Sequence, residues 1–277
     1  MMHPGDNTYT GWHFLPADRR MRWPLERFGE AIEGPLVEPG KTYEVSGPVE
    51  VCAWGLHACR RALDALNYAP GPIVCRVTLS GDVVVEGDKA AATKRTVHWM
   101  ADASRVLHEF ALWCAETVME HHGSDLLNGI KRGSDRRELP LIALRTKRRW
   151  LDGEASDYEL EMVRDELWQL LLELSTISTI ISSRNAFTKT EPDLGSDVPL
   201  YLDAVILATN RYPRYAALRT SMYAEAVMAD RFESELGMDR DAARTRAQNV
   251  INDMLEKMLW GLKPQNSDQT GTARRFE

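Results

Sequence analysis

The spacing of apolar residues changes character once along this chain. Up to about residue 98 they fall in short, β-prone runs cut by glycine and proline; beyond Trp99 they recur at helical spacing. In the first part, GWHFL (11–15) reads as a strand, and GKTYEVSGPVEVCAWGLHA (40–58) as two short strands around a Ser46-Gly47-Pro48 turn. CRRALDALNYA (59–69) places Ala62, Leu63, Leu66 and Ala69 at helical spacing, which predicts a short helix between strands. GPIVCRVTLSGDVVVEG (71–87) is a long strand, or a hairpin broken at Ser80-Gly81-Asp82, and TKRTVHWM (93–100) is a last strand.

The second part is predicted helical throughout. ADASRVLHEFALWCAETVMEHH (101–122) carries Val106, Phe110, Trp113, Cys114 and Val118 on one face, with Asp102 or Ser104 available as the N-cap and Gly123 as a stop. Helices are expected over 138–153 and 156–183, the latter opening with Ser156 and Glu159 at capping-box spacing. A loop over 184–199 precedes helical runs at 199–210, 213–236 and 239–261. The fold class is therefore α+β: a small N-terminal α+β domain with a mixed or antiparallel sheet (8–98), then an all-α helical domain (99–262) and a disordered tail (263–277).

Charge and composition narrow the function classes. A net charge of −7 over 277 residues argues against coating nucleic acid by bulk charge. No apolar run reaches the length of a membrane span, and the N-terminus lacks the basic-then-apolar layout of a signal peptide, so a cytoplasmic location is expected. The four cysteines, Cys52, Cys59, Cys75 and Cys114, fit free thiols in a reducing compartment. The order Cys52, His57, Cys59, Cys75 lacks the close cysteine pairs of zinc sites, so no metal site is expected. His108-Glu109 opens like H-E-x-x-H, but Leu112 stands where the second histidine is needed. His121-His122 are explained by a helix C-terminus, which favours cationic and polar groups. Neither a Gly-x₄-Gly-Lys phosphate loop nor a Gly-x-Ser-x-Gly elbow is present.

Two resemblances bear on function. The elements WHFL (12–15), GLHAC (55–59), LDALNYAPG (63–71), CRV (75–77), GDKAAATKRT (87–96) and WMADASRVLHEFALWCAE (99–116) resemble a family of uncharacterised proteins of actinobacteria and their phages, in which serine usually replaces Cys59. That resemblance implies a domain layout and a phage or prophage setting, and no chemistry. GLHACRRALDALNYAPGPIVCRVTLSG (55–81) is also similar in order to ADP-ribosyltransferase-type domains. By that comparison His13 lies on the first core strand and His57 takes the place of the second motif residue. Such a site implies a histidine on the nicotinamide ribose, a wall for the ring, and a carboxylate to stabilise an oxocarbenium-like centre. Glu86, Asp88 and Glu109 are near in sequence, none in a recognisable motif context.

These observations support three functional expectations. The first is a cytoplasmic phage-type accessory protein acting on a protein partner, with the helical half as the contact surface and no cofactor. The second is an ADP-ribosyltransferase-like enzyme with His13 and His57 as catalytic candidates and NAD in an N-terminal cleft. The third is nucleic-acid contact through the basic run 131–150, carried by Arg145, Lys147, Arg148 and Arg149. For His57 the plain alternative is a histidine at a strand-to-helix turn, bonding backbone groups that the turn leaves unpaired. For the basic run it is a solvated helix face balanced by the acidic stretch DGEASDYELE that follows.

Overall fold

Five antiparallel strands and seven α-helices make up the computed structural model, which describes residues 8–22, 34–129, 135–188 and 198–264. The strands are β1 (Tyr9–Leu15), β2 (Thr42–Glu44), β3 (Leu56–Cys59), β4 (Ile73–Glu86) and β5 (Lys89–Asp102), with helix α1 (Ala62–Asn67) between β3 and β4. The helices that follow are α2 (Ser104–Gly129), α3 (Leu139–Leu151), α4 (Asp157–Thr188), α5 (Val198–Ala208), α6 (Pro213–Leu236) and α7 (Arg240–Trp260). This is the α+β layout expected, with an antiparallel sheet. Among the described residues no helix is long and apolar enough to cross a membrane.

The sheet closes on itself. β4 and β5 form a long hairpin turning at Gly87, whose φ of 59° suits a residue without a Cβ. β1 pairs with β4, β3 pairs with β5, and Trp12 pairs with Cys59 to join β1 to β3. The ring β1–β4–β5–β3 is thereby complete, with β2 added along β5. Gly11 permits the closure: a Cβ there would overlap the Cys59 carbonyl oxygen.

Strand periodicity gives each strand two faces. Trp12, Phe14, Val74 and Trp99 belong to a buried cluster continuous with α2, α4, α5, α6 and α7. Leu15, Cys75, Val77, Leu79 and Val97 pack a second, smaller core with Met21 and Val37. The boundary expected at 98/99 falls inside β5.

Several local expectations are corrected. Of the two alternatives for 71–87 the long strand is the one formed, 14 residues with its irregularity absorbed as a bulge between Ser80 and Val83. β5 begins four residues before its predicted start, because Ala90, Ala91 and Ala92, weak strand formers, are small enough to fit between β3 and β4. α2 runs through Gly123 to Gly129, and the predicted loop residues 184–188 belong to α4. The rest of that loop up to residue 197, and residues 265–277 of the predicted tail, lie outside the described residues. The capping box at α4 forms as predicted: Ser156 N–H donates to Glu159 Oε2 at 2.8 Å, and Glu159 N–H donates to Ser156 Oγ at 3.2 Å.

Helix α1 is only six residues long and has no side-chain cap of its own. α7 caps its N-terminus: Ala62 N–H donates to Glu256 Oε1 and Leu63 N–H to Asn252 Oδ1, both at 3.1 Å. At the other end Arg214 of α6 donates to the Asn67 carbonyl at 2.8 Å.

Because a methyl group at residue 11 has no room, Gly11→Ala is expected to destabilise the protein by roughly 1–3 kcal/mol. The shift of the urea midpoint, with far-UV circular dichroism as the control for retained structure, measures it.

Candidate functional site

One cavity of about 480 Å³ opens among β1, β3, β5 and the segment before β3. His13, Arg22, Cys52, His57, Tyr68, Lys89 and Arg95 contribute its polar groups, Arg22 being paired with Asp18, and Leu15, Met21 and Leu56 part of its apolar wall. The two histidines singled out in the sequence thus share one site.

Their chemistry is not equivalent. His13 stands opposite Cys75 in the β1–β4 register. Burial, then the Arg95 cation, then His57 hold its pKa well below the ordinary imidazole value, so it is neutral at pH 7. His57 Nε2 accepts from the Cys52 N–H at 3.2 Å, and the Gly55 backbone opposes a lowering of its pKa. Burial, Arg95 and Lys89 produce that lowering. His57 therefore fastens the turn Val51–Gly55, where Cys52 adopts a left-handed φ of 70°, unusual for a residue with a side chain. Its bonds are those of the structural alternative, made at the wall of a cavity.

Arg95 is the residue that pattern reading missed. It is 3% exposed, and its Nη1 donates to the His57 carbonyl at 3.2 Å. Its Nε is buried without an acceptor, and no carboxylate pairs with it among the described residues. Burial lowers its pKa to about 10. The available signal was Arg95 in a β-prone run, at an alternating position with Val97, which faces the inner core.

At the mouth, the Lys89 Nζ lies 4.1 Å from the centroid of the Tyr68 ring. Tyr68 donates to Asp88 Oδ2 at 3.0 Å. No carboxylate lines the cavity among the described residues. Glu86 is exposed at the far end of β4, and Glu109 binds Arg105 at 2.7 Å. Cys59 and Cys75 are buried, with burial raising each thiol to about 12, whereas Cys52 is exposed.

Of the four residues of the candidate basic patch, Arg145, Arg148 and Arg149 are exposed and Lys147 is not. Lys147 is fully buried: its Nζ donates to the Asn210 carbonyl at 2.9 Å and lies 3.8 Å from the Trp150 ring centroid. The helical period of α3 turns position 147 toward α5 together with Ala143 and Leu144. Arg148 pairs with Glu116, and Arg149 with Glu159 at 3.5 Å; Arg145 is exposed. Lys131 and Arg132 lie outside the described residues.

Burial lowers the Lys147 pKa from 10.5 to about 7 and, with Lys147 second, the His108 pKa from 6.5 to about 3. Between about pH 7 and 10 the unfolded chain holds the lysine proton more tightly, so stability rises with pH across that window. Below it both states are protonated and the full penalty persists. Lys147→Met is expected to raise stability near neutral pH by on the order of 1–4 kcal/mol and to flatten this rise. Thermal unfolding of both proteins from pH 6 to 10 checks it.

Comparison with known proteins assigns no activity to this geometry. No curated protein and no solved structure matches the chain. A family model described as a domain of unknown function (DUF7666) matches residues 32–109, from ahead of β2 to the first turns of α2. His57, Tyr68, Lys89 and Arg95 lie within that segment, and His13 on β1 precedes it. Most polar groups of the cavity therefore come from the segment that matches this model, whose description as a domain of unknown function fits an uncharacterised family.

Proposed function

We propose that the sheet module binds a small anionic ligand in the His13–His57 cavity. One observation carries this reading: Arg95 is buried at the cavity wall with no carboxylate opposite it. A buried charge without a partner is costly, and an entering phosphate or carboxylate would supply the missing partner. Two neutral histidines offer hydrogen bonds without adding charge, and the apolar wall suits a ligand with an organic body. NAD is the first ligand to test, because its pyrophosphate meets the requirement at Arg95 and because both histidines of the transferase resemblance line this cavity. Transferase chemistry would also need a carboxylate, and the nearest candidate, Asp88, is engaged with Tyr68. Binding is thus better supported than catalysis.

A second observation favours protein contact by the helical half. Tyr158 and Leu172 are 70% and 63% exposed on α4, and Met162 and Trp168 fall on the same side of that helix. Such a stripe is larger than isolated exposed apolar residues require.

Calorimetric titration with NAD, and with pyrophosphate, is expected to give saturable binding that weakens at least about tenfold in Arg95→Met. The same substitution should leave the ligand-free protein equally or more stable, since it removes a buried charge. Absence of binding to NAD, pyrophosphate and short carboxylates in folded wild type would overturn the reading. Labelled NAD appearing on lysate proteins, and lost with His57→Ala, would replace it with transferase activity. For the α4 stripe, a double variant Tyr158→Ser, Leu172→Ser should lose any partner that the wild type captures; a partner retained in full would sink that assignment.

A further inference from the structure

A second cavity, of about 700 Å³, lies where the outer face of the hairpin meets the end of α7. Thr10, Arg76, His98, Trp99, Trp260 and Lys263 line it. Behind it three indoles pack edge to face or tilted: Trp12 to Trp99 at 5.8 Å, Trp12 to Trp260 at 5.4 Å, and Trp99 to Trp260 at 5.7 Å between ring centroids. The Arg76 guanidinium lies over two of them, 4.8 Å from the Trp12 centroid and 5.6 Å from that of Trp260.

Hydrogen bonding in this cluster is unbalanced in one direction. Trp12 Nε1, Trp99 Nε1 and Arg76 Nη1 are all buried donors without an acceptor. Trp99, which lines the cavity, is only 6% exposed. Buried donors rarely go unpaired; of these three residues Trp99 and Arg76 line this cavity and call for an acceptor from outside the chain, whereas Trp12 lies behind them and borders the His13–His57 cavity. No carboxylate lines the cavity among the described residues, whereas Arg76 and Lys263 bring positive charge to it and His98 a ring bonded at 2.7 Å to Thr78 Oγ1. Glu256 is the acidic group that acts on Arg76, and its Oε1 already accepts from Ala62 N–H and Asn252 Nδ2. Trp260 is 42% exposed, and besides Arg76 the Lys263 Nζ lies over its ring, 5.7 Å from the centroid.

We propose that this cavity is a binding site for a phosphate-bearing planar aromatic ligand of mononucleotide size, stacked on Trp260 with its phosphate toward Arg76 and Lys263. Aromatic stacking with a neighbouring cation is a general means of holding a nucleobase. The chain's net charge of −7 favours a free nucleotide over a nucleic-acid strand, whose many phosphates the surrounding protein would repel. The site is distinct from the His13–His57 cavity, and Arg95 takes no part in it.

Titration of tryptophan fluorescence with AMP, adenosine and inorganic phosphate tests the proposal. AMP is expected to quench emission saturably, with adenosine and phosphate each binding at least about tenfold more weakly. Trp260→Leu should abolish AMP binding and Lys263→Gln weaken it several-fold, while Arg95→Met leaves it unchanged. Lys263 is exposed, so its variant keeps the test decisive even if Trp260→Leu disturbs α7. The proposal falls if AMP gives no saturable change. It also falls if Lys263→Gln has no effect, if Arg95→Met removes AMP binding, or if an oligonucleotide binds where AMP does not.

Discussion

The close approach of Gly11 to the Cys59 carbonyl is the contact on which the arrangement of both cavities depends. It lets β3 reach β1 and shut the ring that β4 and β5 begin. Once the ring is shut, alternation along β1 sends Trp12 and Phe14 toward the helices and His13 toward Cys75 and Leu15. One strand therefore contributes to both sites, Trp12 to Leu15 lining the His13–His57 cavity and Thr10 the second.

The helices complete what the short elements of the sheet module leave open. α1 cannot satisfy its own terminal backbone groups within six residues, and α7 and α6 supply the missing partners. Arg61 adds a fourth tie, donating to the Gln248 carbonyl at 2.9 Å. The sheet and helical halves are thus joined by polar contacts as well as by a continuous apolar core. The position of Trp260 against Trp12 and Trp99 follows from the same docking of α7.

Both cavities share an electrostatic character: buried or half-buried arginines without carboxylate partners. Several other cations of this acidic chain are paired, as Arg105 is with Glu109 and Asp152, and Arg211 with Asp157 and Glu161. Lys147 is the buried cation of the helical half, and the difference is instructive. It is enclosed by packed helices, with the Asn210 carbonyl and the Trp150 ring as its partners, so it bears on stability and not on ligand recognition. Arg95 and Arg76 instead border open volumes.

Local patterns determined much of the chain: the run 11–15 as a strand, the helical spacing of 59–69, the capping box at Ser156, and the break in texture near Trp99 are short-range signals that tertiary packing left in place. His13 and His57 were legible as site candidates because a histidine among strand apolars is conspicuous. Arg95 was not, since its meaning lies in the absence of a partner, and no sequence shows which carboxylates will be near. Lys147 looked like its exposed neighbours until the rotation of α3 buried it. The alanines at 90–92 hid a strand, because their small size is useful only where three strands crowd together. Ring closure, the capping of α1 from residues nearly 190 positions away, and the meeting of Trp12, Trp99 and Trp260 all depend on contacts distant in sequence, which tertiary structure alone decides.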